Sequence, residues 1–273
     1  MTRPGLPKLI ATDLDGTLVR SDDTVSAYTH QVLDRVRAAG VPVVAATGRG
    51  PRLTELTRND IRAADFLVMA GGGRVVDQRD PTGPVVLRDE RLSAGVLAEL
   101  ISKLEVEFGP LTVMVEALDG HDAPLWGDFD ASWPYPTLFE SRSRAECLSH
   151  DVIKAFARTT DRHVDELLAA AREIVPADMA ALTQAGLGFV EISPPGVDKA
   201  TGLTVVAESL GVDPTEVLVF GDQPNDLPMF EWAGWHRVAV ANAHPAVRAA
   251  ADAVTLRNDD DGVAVFLDRL LSR

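Results

Sequence analysis

Short apolar runs recur along the chain, and each stops at a polar turn containing glycine. Leu9-Ile10-Ala11-Thr12 runs into Asp13-Leu14-Asp15-Gly16-Thr17, residues 41–46 into Thr47-Gly48-Arg49, residues 66–70 into Gly71-Gly72-Gly73, and residues 217–220 into Gly221-Asp222. Runs this short and this apolar predict strands buried on both faces, as in a parallel sheet, where chemistry gathers at the carboxyl-terminal edge. Residues 26–39 carry Val32, Leu33 and Val36 at helical spacing before Gly40, a usual stop residue, which predicts a helix. Further helices are expected up to Ile61 and over 197–210, 245–251 and 263–271, with a short strand at 238–240.

From about Arg88 the rhythm changes. An amphipathic helix over 92–104 and a strand over 111–117 precede an aperiodic stretch, 120–136, rich in Trp and Pro. A strand at 152–157, a helix at 164–174 and strands at 179–182 and 188–192 follow. Strand-strand-helix units of this kind predict an open α+β sheet inserted into an α/β domain. The expected boundaries are 1–87 and 194–273 for the main domain and 88–193 for the insertion.

With 273 residues, 46% of them hydrophobic, the chain can bury a sizeable core. A formal charge of −15 argues against nucleic acid or an anionic membrane as partner, so an anionic substrate would need locally supplied cation. The single cysteine, Cys147, allows no intrachain disulfide and is expected to be a packed thiol. Residues 1–7 lead into a strand without a signal-type apolar core, and no stretch approaches a membrane span, so a soluble cytoplasmic protein is expected. His30, His150, His163, His236 and His244 fit no metal spacing.

The strand ends supply acids at Asp13, Asp15, Asp222 and Asp226, hydrogen-bonding groups at Thr47 and Asn225, and a helix start bearing Lys199. That inventory suits metal-assisted phosphoryl transfer. Asp13 is placed to attack phosphorus, giving an aspartyl-phosphate that water later cleaves. Asp15 would protonate the leaving alcohol and then activate the water, which requires its pKa to be raised relative to Asp13. Mg2+, an oxygen-preferring ion, would be held by Asp13, the Asp15 backbone carbonyl and Asp222. Lys199 would hold Asp13 and the phosphate as a point charge, and Thr47 with the amides of Leu14 and Gly48 would bind the equatorial oxygens. Arg49 would add charge there or serve a surface salt bridge.

In order along the chain, Asp13 to Thr17, Thr47, Lys199 and Gly221-Asp222 with Asn225-Asp226 resemble the four motifs of the haloacid dehalogenase (HAD) superfamily. More narrowly, Ala46-Thr47-Gly48-Arg49, residues 221–230, Ala241-Asn242-Ala243-His244-Pro245 and Asp261-Gly262-Val263-Ala264 resemble the Cof-type (class IIB) branch. The resemblance implies a Rossmann-like parallel-sheet core with an inserted C2-type α+β cap, and Mg2+-dependent hydrolysis of small phosphate monoesters, commonly sugar phosphates. It also implies that Asn225 sits near the phosphate and that Asp226 supports the metal shell or Lys199. Gly71-Gly72-Gly73 stands where Asn-Gly-Ala is usual, and Ala200 where glycine is frequent.

Receiver domains share phosphoaspartate chemistry but are much shorter, and ion-pumping ATPases need membrane spans. The remaining rival is a non-catalytic sugar-phosphate-binding protein, against which the second acid, Asp15, counts. His121, Asp122, Trp126, Trp133 and Tyr135 are the candidates for leaving-group selection, with packing inside the insertion as the alternative role for the aromatics.

Overall fold

A computed structural model describes residues 5–117, 120, 122–127, 133, 139–184 and 188–272. In chain order the elements are β1 (Leu9–Thr12), α1 (Ala27–Ala38), β2 (Val43–Ala46), α2 (Thr54–Asp60), β3 (Phe66–Met69), β4 (Arg74–Asp77), β5 (Val85–Asp89), α3 (Ala94–Phe108), β6 (Thr112–Glu116), β7 (Leu125–Gly127), β8 (Phe139–Glu140), α4 (Arg144–Cys147), β9 (Lys154–Arg158), α5 (Val164–Ile174), β10 (Ala181–Thr183), β11 (Val190–Ser193), α6 (Lys199–Leu210), β12 (Val217–Gly221), α7 (Leu227–Trp232), β13 (His236–Ala239), α8 (Pro245–Ala250), β14 (Ala253–Val254) and α9 (Gly262–Leu271). Short 3-10 turns occur at Pro51–Leu53, Ala70–Gly72 and Pro224–Asp226. The chain divides into two units, one formed by Met1–Gly48, Glu55–Arg88 and Asp198–Arg273, the other by Arg49–Thr54 and Asp89–Val197.

The first unit is built on a sheet of order β14-β13-β12-β1-β2-β3-β4-β5. β13, β12, β1, β2 and β3 run parallel, and β4 pairs antiparallel to β3. Every residue of β1, β2, β3 and β12 is buried, which is why these strands read as unbroken apolar runs. The helix expected over 26–39 begins where Ser26 accepts the Thr29 amide at 3.0 Å and buries Val32, Leu33 and Val36. Mixed α/β architecture with a parallel central sheet is therefore the observed class. Three strands of this unit, β4, β5 and β14, were not expected, and the segment leading to Ile61 starts as the Pro51–Leu53 turn before α2. In β5, Val85, Val86 and Leu87 are all exposed, so no alternation marks that strand.

The second unit carries a sheet of order β10-β11-β9-β6-β7-β8, antiparallel except for β7 and β8. Side chains alternate across it. Val113, Val115, Ala155, Ala157, Val190 and Ile192 pack with Leu97, Leu100, Ile101 and Leu104 of α3 and Leu167, Leu168 and Ala171 of α5. The intervening positions Met114 and Phe156 cluster with Leu125, Trp133 and Phe189. Cys147 is a buried thiol, as expected of a packed cysteine.

The aperiodic stretch is corrected in one place: Leu125–Gly127 is a strand, too short and too close to Pro124 for a period to show. Trp126 and Trp133, candidates for leaving-group selection, are both buried inside this unit. Trp126 meets the His150 ring edge-on at 5.1 Å, and Trp133 meets Phe156 at 4.8 Å and Phe189 at 5.5 Å. They are core rings, as large aromatics on a sheet face usually are. Asp122 is an exposed loop residue with φ 58°, while His121 and Tyr135 lie outside the described residues.

Lys154 and Glu191, on adjacent strands, form a fully buried ion pair at 2.7 Å. Lys154→Met is expected to destabilise the protein by roughly 3–5 kcal/mol in denaturant unfolding, because it strands a buried carboxylate. Replacing Glu191 with Leu as well should recover most of that loss; a double variant no more stable than the single one contradicts this account.

Candidate active site

Three parallel strands in the first unit end side by side. In register, Thr12 of β1 faces Phe220 of β12 on one side and Ala45 of β2 on the other. Asp13, Asp222 and Thr47 each follow within two residues of these partners, so their backbones leave the sheet at one edge. The Asp13 amide donates to the Phe220 carbonyl at 3.0 Å, which fixes the exit of β1.

After Asp13 the chain turns tightly around the Leu14 carbonyl, which accepts from the amides of Thr17, Leu18 and Val19 at 2.8–3.0 Å. Gly16 sits in the left-handed region at φ 81°, and a Cβ there would lie 2.6 Å from Asp222 Oδ2. Glycine is required on both grounds. Asp15, half-buried, bridges to Val19 within this loop. The Asn242 side-chain amide donates to the Gly16 carbonyl at 2.7 Å, and the Asn258 side chain donates to the Val19 carbonyl at 3.0 Å.

Lys199 opens α6, whose cap is Asp198 accepting the Thr201 amide at 2.7 Å. Its Nζ donates to Asp13 Oδ1 and to Asp226 Oδ1, both at 2.6 Å, and the side chain is 1% exposed. Asp226 Oδ2 in turn accepts the amides of Asp222 and Gln223 at 2.8 and 2.9 Å. Asp222 accepts from Thr17 Oγ1 at 2.7 Å and Gln223 Nε2 at 3.0 Å. The start of α6 is seated on the Ala70–Gly72 turn: a Cβ on Gly72 would come within 1.9 Å of the Asp198 carbonyl oxygen. Gly72, the glycine common to this turn and to the usual Asn-Gly-Ala, thus permits the close approach that places Lys199. The Gly71 amide also ties back to the Thr47 carbonyl at 3.0 Å.

Burial dominates the electrostatics. It pushes the Asp13 carboxyl well above its usual range, with Lys199 pulling the other way and Asp226 and Asp222 adding to the rise. Burial and then the Asp226 charge push Asp222 up to about 6. Burial works against the charge on Lys199, but Asp13 and Asp226 outweigh it and hold the ammonium above its ordinary value. One ammonium is therefore shared by Asp13 and Asp226, with Asp222 beside them and little water to disperse the charge.

Asp13, Asp222 and Asp226 each offer an oxygen within 4.8 Å of the others, a donor set of hard oxygens with excess negative charge. Such a set fits a divalent cation like Mg2+. A cation there would also oppose the rise in the Asp13 pKa. Asp226 already has both oxygens engaged, with Lys199 and with two amides, so its described contacts are those of a support for Lys199.

The sequence-predicted residues Asp13, Lys199, Asp222 and Asp226 are thus joined by direct hydrogen bonds or near contact. Leu14 and Asp15 follow by the turn, and Thr47 and Gly48 by strand register. Asn225, in the Pro224–Asp226 turn, is nearly buried, with its Oδ1 unpartnered in the structure. Arg49 differs: it is buried and groups with the second unit. Thr17, Gln223, Asn242 and Asn258 were assigned no role from sequence; Thr17, Gln223 and Asn242 lie inside matched motifs, which was the available signal.

No helix among the described residues is long and apolar enough to cross a membrane. The chain is 28% identical to the 5-amino-6-(5-phospho-D-ribitylamino)uracil phosphatase YwtE of Bacillus subtilis, over 97% of this chain and 98% of that protein. It is 31% identical to a phosphoglycolate phosphatase of Natronomonas pharaonis, over 95% and 96%. Its fold superposes on BT4131, a HAD subclass IIB sugar phosphatase, with TM-score 0.76 and 20% identity over 96% of this chain and 98% of that one. The family description "haloacid dehalogenase-like hydrolase" matches residues 10–267. With the residues of all four motifs lying within that span, the chain belongs to the haloacid dehalogenase-like hydrolases, in their Cof-type branch of phosphoric monoester hydrolases.

Proposed function

We propose that the protein hydrolyses small phosphate monoesters, sugar phosphates or related metabolites, with Mg2+ and through an aspartyl-phosphate intermediate. The observation that carries this reading is the buried bridge from Lys199 to both Asp13 and Asp226, beside Asp222, at the carboxyl ends of the strands. The relatives named as phosphatases of a phosphorylated ribityl compound and of phosphoglycolate support the substrate class.

In this reading Asp13 attacks phosphorus as the ester P–O bond breaks, and Asp15 gives its proton to the departing alkoxide. Asp15 then takes a proton from water, whose oxygen attacks phosphorus and releases inorganic phosphate and the Asp13 carboxylate. Lys199 keeps the Asp13 carboxylate oriented, and Asp226 keeps Lys199 in place. Thr47 and the amides of Leu14 and Gly48 bind the phosphoryl oxygens, with Asn225 and Arg49 as further contacts. Asp13, the Asp15 carbonyl and Asp222 are the residues that would hold Mg2+, with Asp226 supporting them; the ion supplies positive charge against the approach of two anions. The segments 1–87 and 194–273 act as the catalytic core, and 88–193 as a cap that selects the leaving group. The single cysteine and the anionic character suit a cytoplasmic metabolite as partner.

Phosphate release from p-nitrophenyl phosphate, pentose and hexose phosphates and phosphoglycolate tests the proposal. Chelation by EDTA is expected to lower the rate by about 10²-fold or more, with recovery on adding Mg2+. Tight binding of a sugar phosphate with no phosphate release under any metal would instead establish the binding-protein alternative.

A further inference from the structure

The loop that carries Asp15 leaves β1 and runs on toward α1, and the residues that receive it come from the far end of the chain. Asn242, in the turn after β13, and Asn258, Asp259 and Asp261, after β14, all meet this loop, and every one of these contacts lies inside the first unit. The Asn242 side-chain amide donates to the Gly16 carbonyl at 2.7 Å. Asn258 donates through its side-chain amide to the Val19 carbonyl and through its backbone amide to Asn242 Oδ1, both at 3.0 Å. Further along, Asp259 accepts the Ser21 amide at 2.8 Å, and Asp261 accepts from the Arg20 guanidinium at 2.6 and 3.1 Å.

The two asparagines act as one piece. Because Asn242 Oδ1 accepts from Asn258, its NH2 group is turned toward Gly16; the opposite orientation would set an oxygen against that carbonyl. Asn258 is 3% exposed, so packing as well as hydrogen bonding fixes it. Between them they secure the two carbonyls that matter to Asp15: Gly16 directly follows it, and Val19 is the residue to which it bridges. The bonds to the Leu14 carbonyl shape the turn from within. Thr17 ties one point of it to Asp222, and the asparagines tie two more to the segments that follow β13 and β14, strands of the same sheet as β1. Asp13 is held by its place at the end of β1 and by Lys199, whereas Asp15 lies half-buried on a glycine-bearing turn and depends on that turn for its place.

We propose that Asn242 and Asn258 are positioning residues for the reaction: together they hold Asp15 where its carboxyl meets the departing oxygen. The inference rests on the reading above in which Asp15 is the proton donor. A general acid contributes about 10²–10⁴-fold, and only while it stays within hydrogen-bond reach of the leaving group. Displacement of a reacting group by about 1 Å reduces rates by about 10²-fold.

Asn242→Ala, Asn242→Asp, Asn258→Ala and Asp15→Asn would be compared with the parent in the full-length protein with Mg2+ present. The readouts are thermal midpoints and kcat/KM for two kinds of substrate. p-Nitrophenyl phosphate releases a stabilised anion, while benzyl phosphate and glucose 6-phosphate release alkoxides that need a proton as they leave. Because kcat/KM covers the steps up to departure of the alcohol and not the later hydrolysis of the aspartyl-phosphate, it isolates the donor role. The asparagine variants are expected to lower kcat/KM about tenfold or more for the alkyl phosphates and by less than about threefold for p-nitrophenyl phosphate. Asn242→Asp keeps the size of the side chain and its acceptor for the Asn258 amide while removing the donor to Gly16, so it keeps the test open should Asn242→Ala fail to fold. Equal losses on both kinds of substrate, or lowered thermal midpoints with both values unchanged within about twofold, would overturn the proposal and leave the asparagines as structural ties. Asp15→Asn separates the two levels. If it leaves the ratio between the substrates unchanged, the proton-donor reading of Asp15 fails and this inference with it. If it changes the ratio while the asparagine variants do not, only the positioning role fails.

Discussion

Asp13→Asn is expected to abolish phosphate release, by about 10³-fold or more in kcat, while the protein still folds. The substitution keeps the size of the side chain and an acceptor for Lys199 Nζ, which lies 2.6 Å from Oδ1. It removes the anion that attacks phosphorus in the proposed mechanism. It also removes one of three carboxylates crowded together in a buried site, so the loss of activity should come without a matching loss of stability. Circular dichroism and thermal unfolding alongside the phosphate assay check both halves. An Asp13→Asn protein that kept more than about a tenth of parental kcat would exclude Asp13 as the nucleophile.

Lys199→Met should lose on both counts. Lys199 is the ammonium that meets Asp13 and Asp226, and its removal leaves two carboxylates in a site with almost no solvent. Breaking a buried pair from one side typically costs about 3–5 kcal/mol, and denaturant unfolding should show a loss of that size. Catalysis should fall by about 10²-fold or more, because Asp13 loses its fixed orientation and the phosphate its point charge. Lys199→Arg is not expected to rescue either property, since a planar guanidinium cannot occupy the place of a compact ammonium bonded to two acids at once. The double variant Lys199→Met/Asp226→Asn should regain part of the stability and none of the activity. Full catalytic recovery in that pair would show Lys199 to be a counter-ion for Asp226 alone.

The central strands were readable because burial on both faces leaves no charged residue inside them; β1, β2, β3 and β12 are cases in point. β5 was not, since three exposed apolar residues in succession carry no period, and β7, with three residues, is too short to show one. The acids Asp13, Asp222 and Asp226 and the helix-opening Lys199 could be picked out because each stands where an apolar run or a helix begins or ends. Asn242 and Asn258 could not be given a role that way. They brace the Asp15–Val19 loop through backbone carbonyls more than two hundred residues away in the chain, a contact that hydropathy and spacing do not encode. The same applies to Trp126 and Trp133: their composition suggested recognition, and only neighbours such as Phe156, Phe189 and His150 identify them as packing residues. The membership of Arg49–Thr54 was equally hidden, because nothing in six residues of mixed polarity tells which body they fold against.

That membership has a consequence for anyone building chimaeras of these enzymes. The polypeptide passes between the two bodies at four points, after Gly48, Thr54, Arg88 and Val197, so a single excision of Asp89–Val197 would leave the hexapeptide behind without Glu116 or Trp133 to receive it. A transplant intended to exchange leaving-group preference between homologues would therefore have to carry two separate pieces of gene, the long insertion and the six codons for Arg49–Thr54.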